Sequence, residues 1–144
     1  MEIFNQEEQE KVVHAISLAE NQTSGEIRLV VEKYLHGVEA IAQAQAYFEK
    51  LKMHKTNLRN GVLIYLATED HQFAIIGDAG INEKVPEGFW ESTKDHMVEH
   101  FRKGDFVNGL ITGIEEAGNQ LATYFPRRED DINELPNDIH FGKS

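Results

Sequence analysis

The sequence predicts an α/β fold in which a mixed sheet is covered by helices, with the element order α-β-α-β-β-α-α. Three observations predict it. Apolar residues recur at steps of three and four in separate stretches, as amphipathic helices require. Between them lie short β-branched runs that read as strands. Two of those runs are separated only by a polar turn, which places a hairpin after a strand-helix-strand unit whose crossover is right-handed.

Residues 5–20 carry Val12, Val13, Ile16 and Ala19 at helical spacing among Glu, Gln and Lys, with Asn5 as the N-cap. After turn residues 21–25, the run 26–34, from Glu26 through Val30 and Val31 to Tyr34, favours a strand. Val38, Ile41, Ala44, Phe48 and Leu51 then mark a second helix over residues 38–53. Residues 60–67 are continuously apolar from Val62, as a central strand buried on both faces requires. The polar turn 68–71 leads into a returning strand over residues 72–77. Pro86 suits the first turn of a helix whose core stripe is Phe89, Trp90, Met97 and Phe101, and Gly104 stops it. Asp105 caps the last helix, with Phe106, Leu110, Ile114 and Leu121 inward, up to Phe125 and Pro126.

The 144 residues carry 14 Lys and Arg against 25 Asp and Glu, so the net charge is 14 − 25 = −11. Residues 1–126 read as one domain, and residues 127–144 as a polar tail, flexible or draped over the surface, with apolar spots at 132–135 and 139–141. The acidity argues against nucleic acid, whose phosphates demand clustered Lys and Arg, and makes cations the natural partners. The absence of cysteine excludes disulfides, thiolate nucleophiles and Cys-containing zinc sites. No signal-peptide pattern and no apolar run of membrane-spanning length is present, so the expected setting is cytoplasmic and off the membrane.

A right-handed crossover starts both parallel strands at one edge of the sheet, and the hairpin returns there. Glu26, Asn60 and Asp78 therefore converge beside glycines, and Asp105 at the Gly104 break between two helices is a further oxygen donor expected within reach. Oxygen-only ligands on such loops suit a hard cation, Ca²⁺ or Mg²⁺. The same residues also fit ordinary roles: an Asx turn at Asp78, a helix cap at Asp105 and a solvated strand end at Glu26.

The segment His96-Met97-Val98-Glu99-His100 matches the H-x-x-E-H pattern that can hold zinc with a general base, but it lies in a short chain and flanks a core stripe. The loop Gly77-Asp78-Ala79-Gly80 follows a strand yet fits neither phosphate-binding glycine pattern. No serine sits in a nucleophile elbow, and Trp90 at helical spacing with Met97 reads as core.

Four blocks carry a family likeness: Thr23-Ser24-Gly25-Glu26-Ile27-Arg28, then 59–67 from Arg59-Asn60-Gly61, then 75–81 through Gly77-Asp78-Ala79-Gly80, then 101–110 through Gly104-Asp105. Together they resemble the TPM domain family over about residues 5–126. The resemblance implies a three-layer α/β/α sandwich and, as in plant members described as acid phosphatases, a divalent-cation site. Carried onto this chain, its metal ligands would be Glu26, Asn60, Asp78 and Asp105. One departure stands out: many members have Asp where this chain has Arg59, exchanging a possible ligand for a cation. Arg59 could instead pair with Asp78 or take a phosphate oxygen. The expected function is a cation-binding module that also docks a protein partner; the alternative is a metal-dependent, acid phosphatase-like hydrolase of phosphomonoesters.

Overall fold

The computed structural model describes residues 4–127 and 139–142. The first helix, α1 (Gln6–Glu20), opens on a reciprocal cap: Asn5 Oδ1 accepts from the Glu8 amide at 2.8 Å while Glu8 Oε1 accepts from the Asn5 amide at 3.0 Å. Strand β1 (Glu26–Glu32) follows, then α2 (Ala40–Lys50), β2 (Gly61–Ala67), β3 (Gln72–Gly77), the one-turn α3 (Ala79–Asn82), α4 (Phe89–Arg102), α5 (Phe106–Tyr124) and β4 (Ile139–Phe141).

The sheet order is β3-β2-β1-β4. Strands β1 and β2 are parallel with Glu26 opposite Gly61, and β2 and β3 are antiparallel with Val62 opposite Gly77. Every residue of β2 is buried, as its unbroken apolar run requires of a strand covered on both faces. On one face Ile27, Leu29, Val31, Ile64 and Ile75 pack with α1, α4 and α5; on the other, Val30, Leu63, Tyr65 and Ala74 pack with α2. The result is a three-layer α/β/α sandwich around a mixed sheet.

Two elements escape the seven-element order read from sequence. α3 is a single turn capped by Asp78, and β4 comes from an apolar spot in the polar tail, pairing parallel to β1 with Leu29 opposite Ile139. The remaining tail expectation, including the spot at 132–135, falls on residues outside the described set. The inward face of α2 also differs. Ala40, Ala44 and Tyr47 are buried, whereas Val38 and Ile41 of the apolar stripe are 45% and 39% exposed. Small alanines let α2 lie close to the sheet, and the larger residues stand at its margin.

Beneath α2 sits a buried polar cluster. The Tyr47 and Tyr65 hydroxyls both donate to the Glu32 carboxylate, and Gln43 Nε2 donates to it at 3.3 Å. Burial, then the bond to Glu32 and its charge, pushes both phenols up. No helix among the described residues is long and apolar enough to cross a membrane.

Candidate functional site

The strand register brings Glu26, Asn60 and Asp78 to one end of the sheet, since Glu26 faces Gly61 and the Asp78 amide donates to the Gly61 carbonyl at 2.9 Å. All three are buried. Close chain approach requires glycine on two sides of this end. A Cβ at Gly25 would stand 2.7 Å from Leu121 Cδ2 and 3.1 Å from the Asn60 carbonyl oxygen. At Gly80 it would stand 2.1 Å from the Leu58 carbonyl oxygen, whose loop the Gly80 amide ties down by donating to the Arg59 carbonyl at 2.7 Å.

That loop delivers Arg59 to Asp78. Arg59 Nε donates to Asp78 Oδ2 and Nη2 donates to Oδ1, each at 2.7 Å, a two-bond fork that matches guanidinium to carboxylate. Asp78 Oδ1 also accepts from the Ala79 amide at 2.8 Å, capping α3. The Arg59 side chain is 51% exposed while that of Asp78 is 5% exposed, so the carboxylate is fixed and the guanidinium lies over it from the solvent side. The bonds to Asp78, then its charge, raise the Arg59 pKa further. Arg59 holds this pose at φ 52°, in the left-handed region that costs a residue with a Cβ about 1–2 kcal/mol.

Glu26 has an acidic neighbour the sequence reading did not single out. Glu20, at the end of α1, is also buried, and its Oε2 accepts from the Ile27 amide at 2.8 Å. Burial pushes its carboxyl up to about 8, against the pull of the Ile27 N–H; the charge and hydrogen bond of Glu26 add to the rise, and Arg28 partly offsets it. At neutral pH Glu20 is therefore protonated beside Glu26. The signal was the spacing: Glu20 ends a helix and Glu26 opens the next strand. Asn60 Nδ2 donates to Ser24 Oγ at 3.4 Å, joining the first two loops.

Asp105 does not join them, which corrects the expectation that it comes within reach. It caps α5, with Oδ1 accepting from the Asn108 amide at 3.1 Å and Oδ2 from Asn108 Nδ2 at 2.7 Å. These bonds hold its carboxyl below the usual range. The next residue, Phe106, packs near His71 of the β2–β3 turn, with ring centroids 6.4 Å apart. That turn is the opposite end of the sheet, about 20 Å from Asp78 at ~3.3 Å per residue along β3.

The zinc-like pattern on α4 is also otherwise engaged. His96 Nδ1 lies 2.7 Å from Glu116 Oε2 of α5, and Thr93 Oγ1 donates to Glu116 Oε1 at 2.9 Å. Among the described residues no three His, Asp or Glu side chains are grouped so as to hold a metal ion.

An open cleft of about 630 Å³ runs from the Arg59–Asp78 pair along β3, between Ile41, Gln45, Phe48 and Glu49 of α2 and Trp90, Glu91 and Lys94 of α4, with His54 on its rim. Trp90, read from sequence as core, packs partly against the core and donates from Nε1 to Asn82 Oδ1 at 2.9 Å while facing this cleft.

The profile of the TPM domain matches residues 1–120. The chain belongs to the TPM domain family. It is similar to the BA42 protein from the psychrophilic bacterium Bizionia argentinensis, an NMR structure with 48% identity and a TM-score of 0.90, covering 98% of this chain and 97% of that one. It shares its fold with the N-terminal domain of the cg2496 protein from Corynebacterium glutamicum, at 13% identity and a TM-score of 0.68 over 92% of this chain and 82% of that one. The N-terminal domain of a P. gingivalis protein has the same fold at 17% identity and a TM-score of 0.69, over 85% and 79% of the two chains. No curated protein matches the chain.

Proposed function

We propose that this TPM domain is a binding module that takes a divalent cation, Ca²⁺ or Mg²⁺, at the sheet end formed by Glu26, Asn60 and Asp78. The observation that supports this reading most is the Arg59–Asp78 fork. A rigid, nearly buried carboxylate there already holds a positive group, and that group approaches from solvent on a mobile type of side chain. A hard cation that displaces Arg59 gains both Asp78 oxygens and completes its shell with backbone carbonyls and water. Asn60 adds an amide oxygen after a flip. Glu26 contributes a carboxylate oxygen, and loss of the Glu20 proton beside it adds negative charge that makes binding tighten as pH rises. Asp105, at the other end of the sheet, is no part of this site.

Calorimetric titration of Ca²⁺ and Mg²⁺ into three chains tests the reading. Arg59→Ala removes the competitor and should bind about tenfold more tightly than the parent chain, whereas Asp78→Asn should lose binding. Equal affinity in all three would reject the site.

The second reading is a metal-dependent, acid phosphatase-like hydrolase of phosphomonoesters. It is favoured by one observation: Arg59, Lys94 and His54 line the same cleft as Asp78, a mixture suited to a phosphate and a metal. It ranks below the first because it requires the same bound cation and an activated nucleophile besides. Turnover of p-nitrophenyl phosphate that requires Asp78 would reverse the order.

A further inference from the structure

We propose that β4 is a strap released by acid: a proton on His140 detaches the C-terminal strand from the edge of β1 and opens the cluster of Glu32, Tyr47 and Tyr65 beneath it. β4 has 3 residues and lies at the outer edge of the sheet, paired with β1. A strand so short is held by what its few side chains and amides meet. Ile139 is buried in the core on the α1, α4 and α5 face, Phe141 is 39% exposed, and the Gly142 amide donates to the Val31 carbonyl at 3.0 Å. The strap also closes over the polar cluster. A Cβ at Gly142 would run into Glu32 Oε1 and the Tyr47 hydroxyl, so the chain passes directly against the groups that hold the buried carboxylate.

His140 is at the middle of this contact. It stands opposite Val30 in the parallel ladder, and side chains alternate across a sheet, so His140 shares the α2 face with Val30 and with Arg28 and Glu32, two residues to either side of Val30. From α2, the Tyr47 ring lies 5.5 Å from the imidazole, centroid to centroid, and the Lys50 ammonium lies 5.5 Å from the centre of that same Tyr47 ring. The imidazole thus faces two cations and one anion. The anion is already engaged, since Glu32 accepts from Tyr47, Tyr65 and Gln43. A charged imidazole would lose water on docking and meet Arg28 and Lys50. Burial first, then Arg28 and Lys50, hold the docked imidazole below its ordinary 6.5, against the pull of Glu32.

Linkage fixes the direction. The docked strand favours the neutral imidazole, while the released strand takes up its proton at the ordinary 6.5, so docking is strongest above that value and weakens as pH falls through it. Glu20, which keeps its proton up to about 8, stays protonated below that and contributes nothing to this change.

NMR of the whole protein between about pH 7.5 and about pH 5.5 tests the proposal. The His140 ring signals should titrate below 6.5. The released fraction, read from the Ile139 methyl signals and from exchange of the Gly142 amide, should rise at least threefold as the pH falls, while β2 amides keep their protection. His140→Phe keeps a ring against Tyr47 and cannot take a proton, so its released fraction should be the same at both ends of the range. A His140 midpoint at or above 6.5, a released fraction in the parent chain that does not change with pH, or an equal rise in His140→Phe would overturn the proposal.

Discussion

Burial of the Glu20 carboxyl beside Glu26 keeps a proton on it up to about pH 8, whereas the unfolded chain releases that proton near 4.5. The folded form therefore binds the extra proton across this window, so the stability contributed is complete below about 4.5 and is lost as pH rises through about 8. Glu20→Gln retains an acceptor for the Ile27 amide and carries no charge. We expect it to flatten this pH dependence and to exceed the parent chain in stability at pH 9 by on the order of 1–3 kcal/mol, measured by urea unfolding across pH. Equal pH profiles would show that Glu20 ionises normally. At the same scale, Glu32 receives two tyrosine hydroxyls and the Gln43 amide in a buried setting. Tyr65→Phe withdraws one donor from a buried carboxylate and should cost about 1–3 kcal/mol by the same measurement.

At the scale of elements, sequence periodicity sufficed for the four long helices and the three longer strands, because each has enough residues to display its repeat. It missed α3 and β4. A helix of 4 residues and a strand of 3 are too short to show a period, and β4 exists only because the β1 edge at Leu29 to Val31 receives it. Removing residues 139–144 should uncover that edge. We expect a lower melting temperature and faster amide exchange in β1, with β3 exchange unchanged relative to the rest of the sheet. The candidate site divides for a similar reason. Glu26, Asn60 and Asp78 were legible because strand direction alone brings them together. Asp105 was not: α4 begins beside the Asp78 end, where Trp90 bonds to Asn82, and its 14 residues carry the chain about 21 Å away before Asp105 is reached. Gly80 couples elements in the opposite sense. Gly80→Ala must push apart the Leu58–Arg59 backbone and should destabilise the fold by about 1–3 kcal/mol while loosening the Arg59 fork.

For the molecule as a whole, the charge of −11 first indicated cations as partners without saying where. The fold makes that acidity specific. Among the described residues most carboxylates are exposed, while Glu20, Glu26 and Asp78 are buried at one end of the sheet, where Arg59 covers Asp78. If the proposed cation site holds, long-range attraction should make its affinity fall as ionic strength rises, with local displacement of Arg59 fixing the position. The measurement that bears most directly on this account is a residue-resolved NMR titration of the whole protein with Ca²⁺. Saturable shifts are expected at Glu26, Asn60 to Gly61 and Asp78 to Gly80, with movement of the Arg59 Nε–H signal as the fork opens, and none at Asp105. Shifts confined to exposed helix carboxylates, with Asp78 and Arg59 unmoved at saturation, would contradict it.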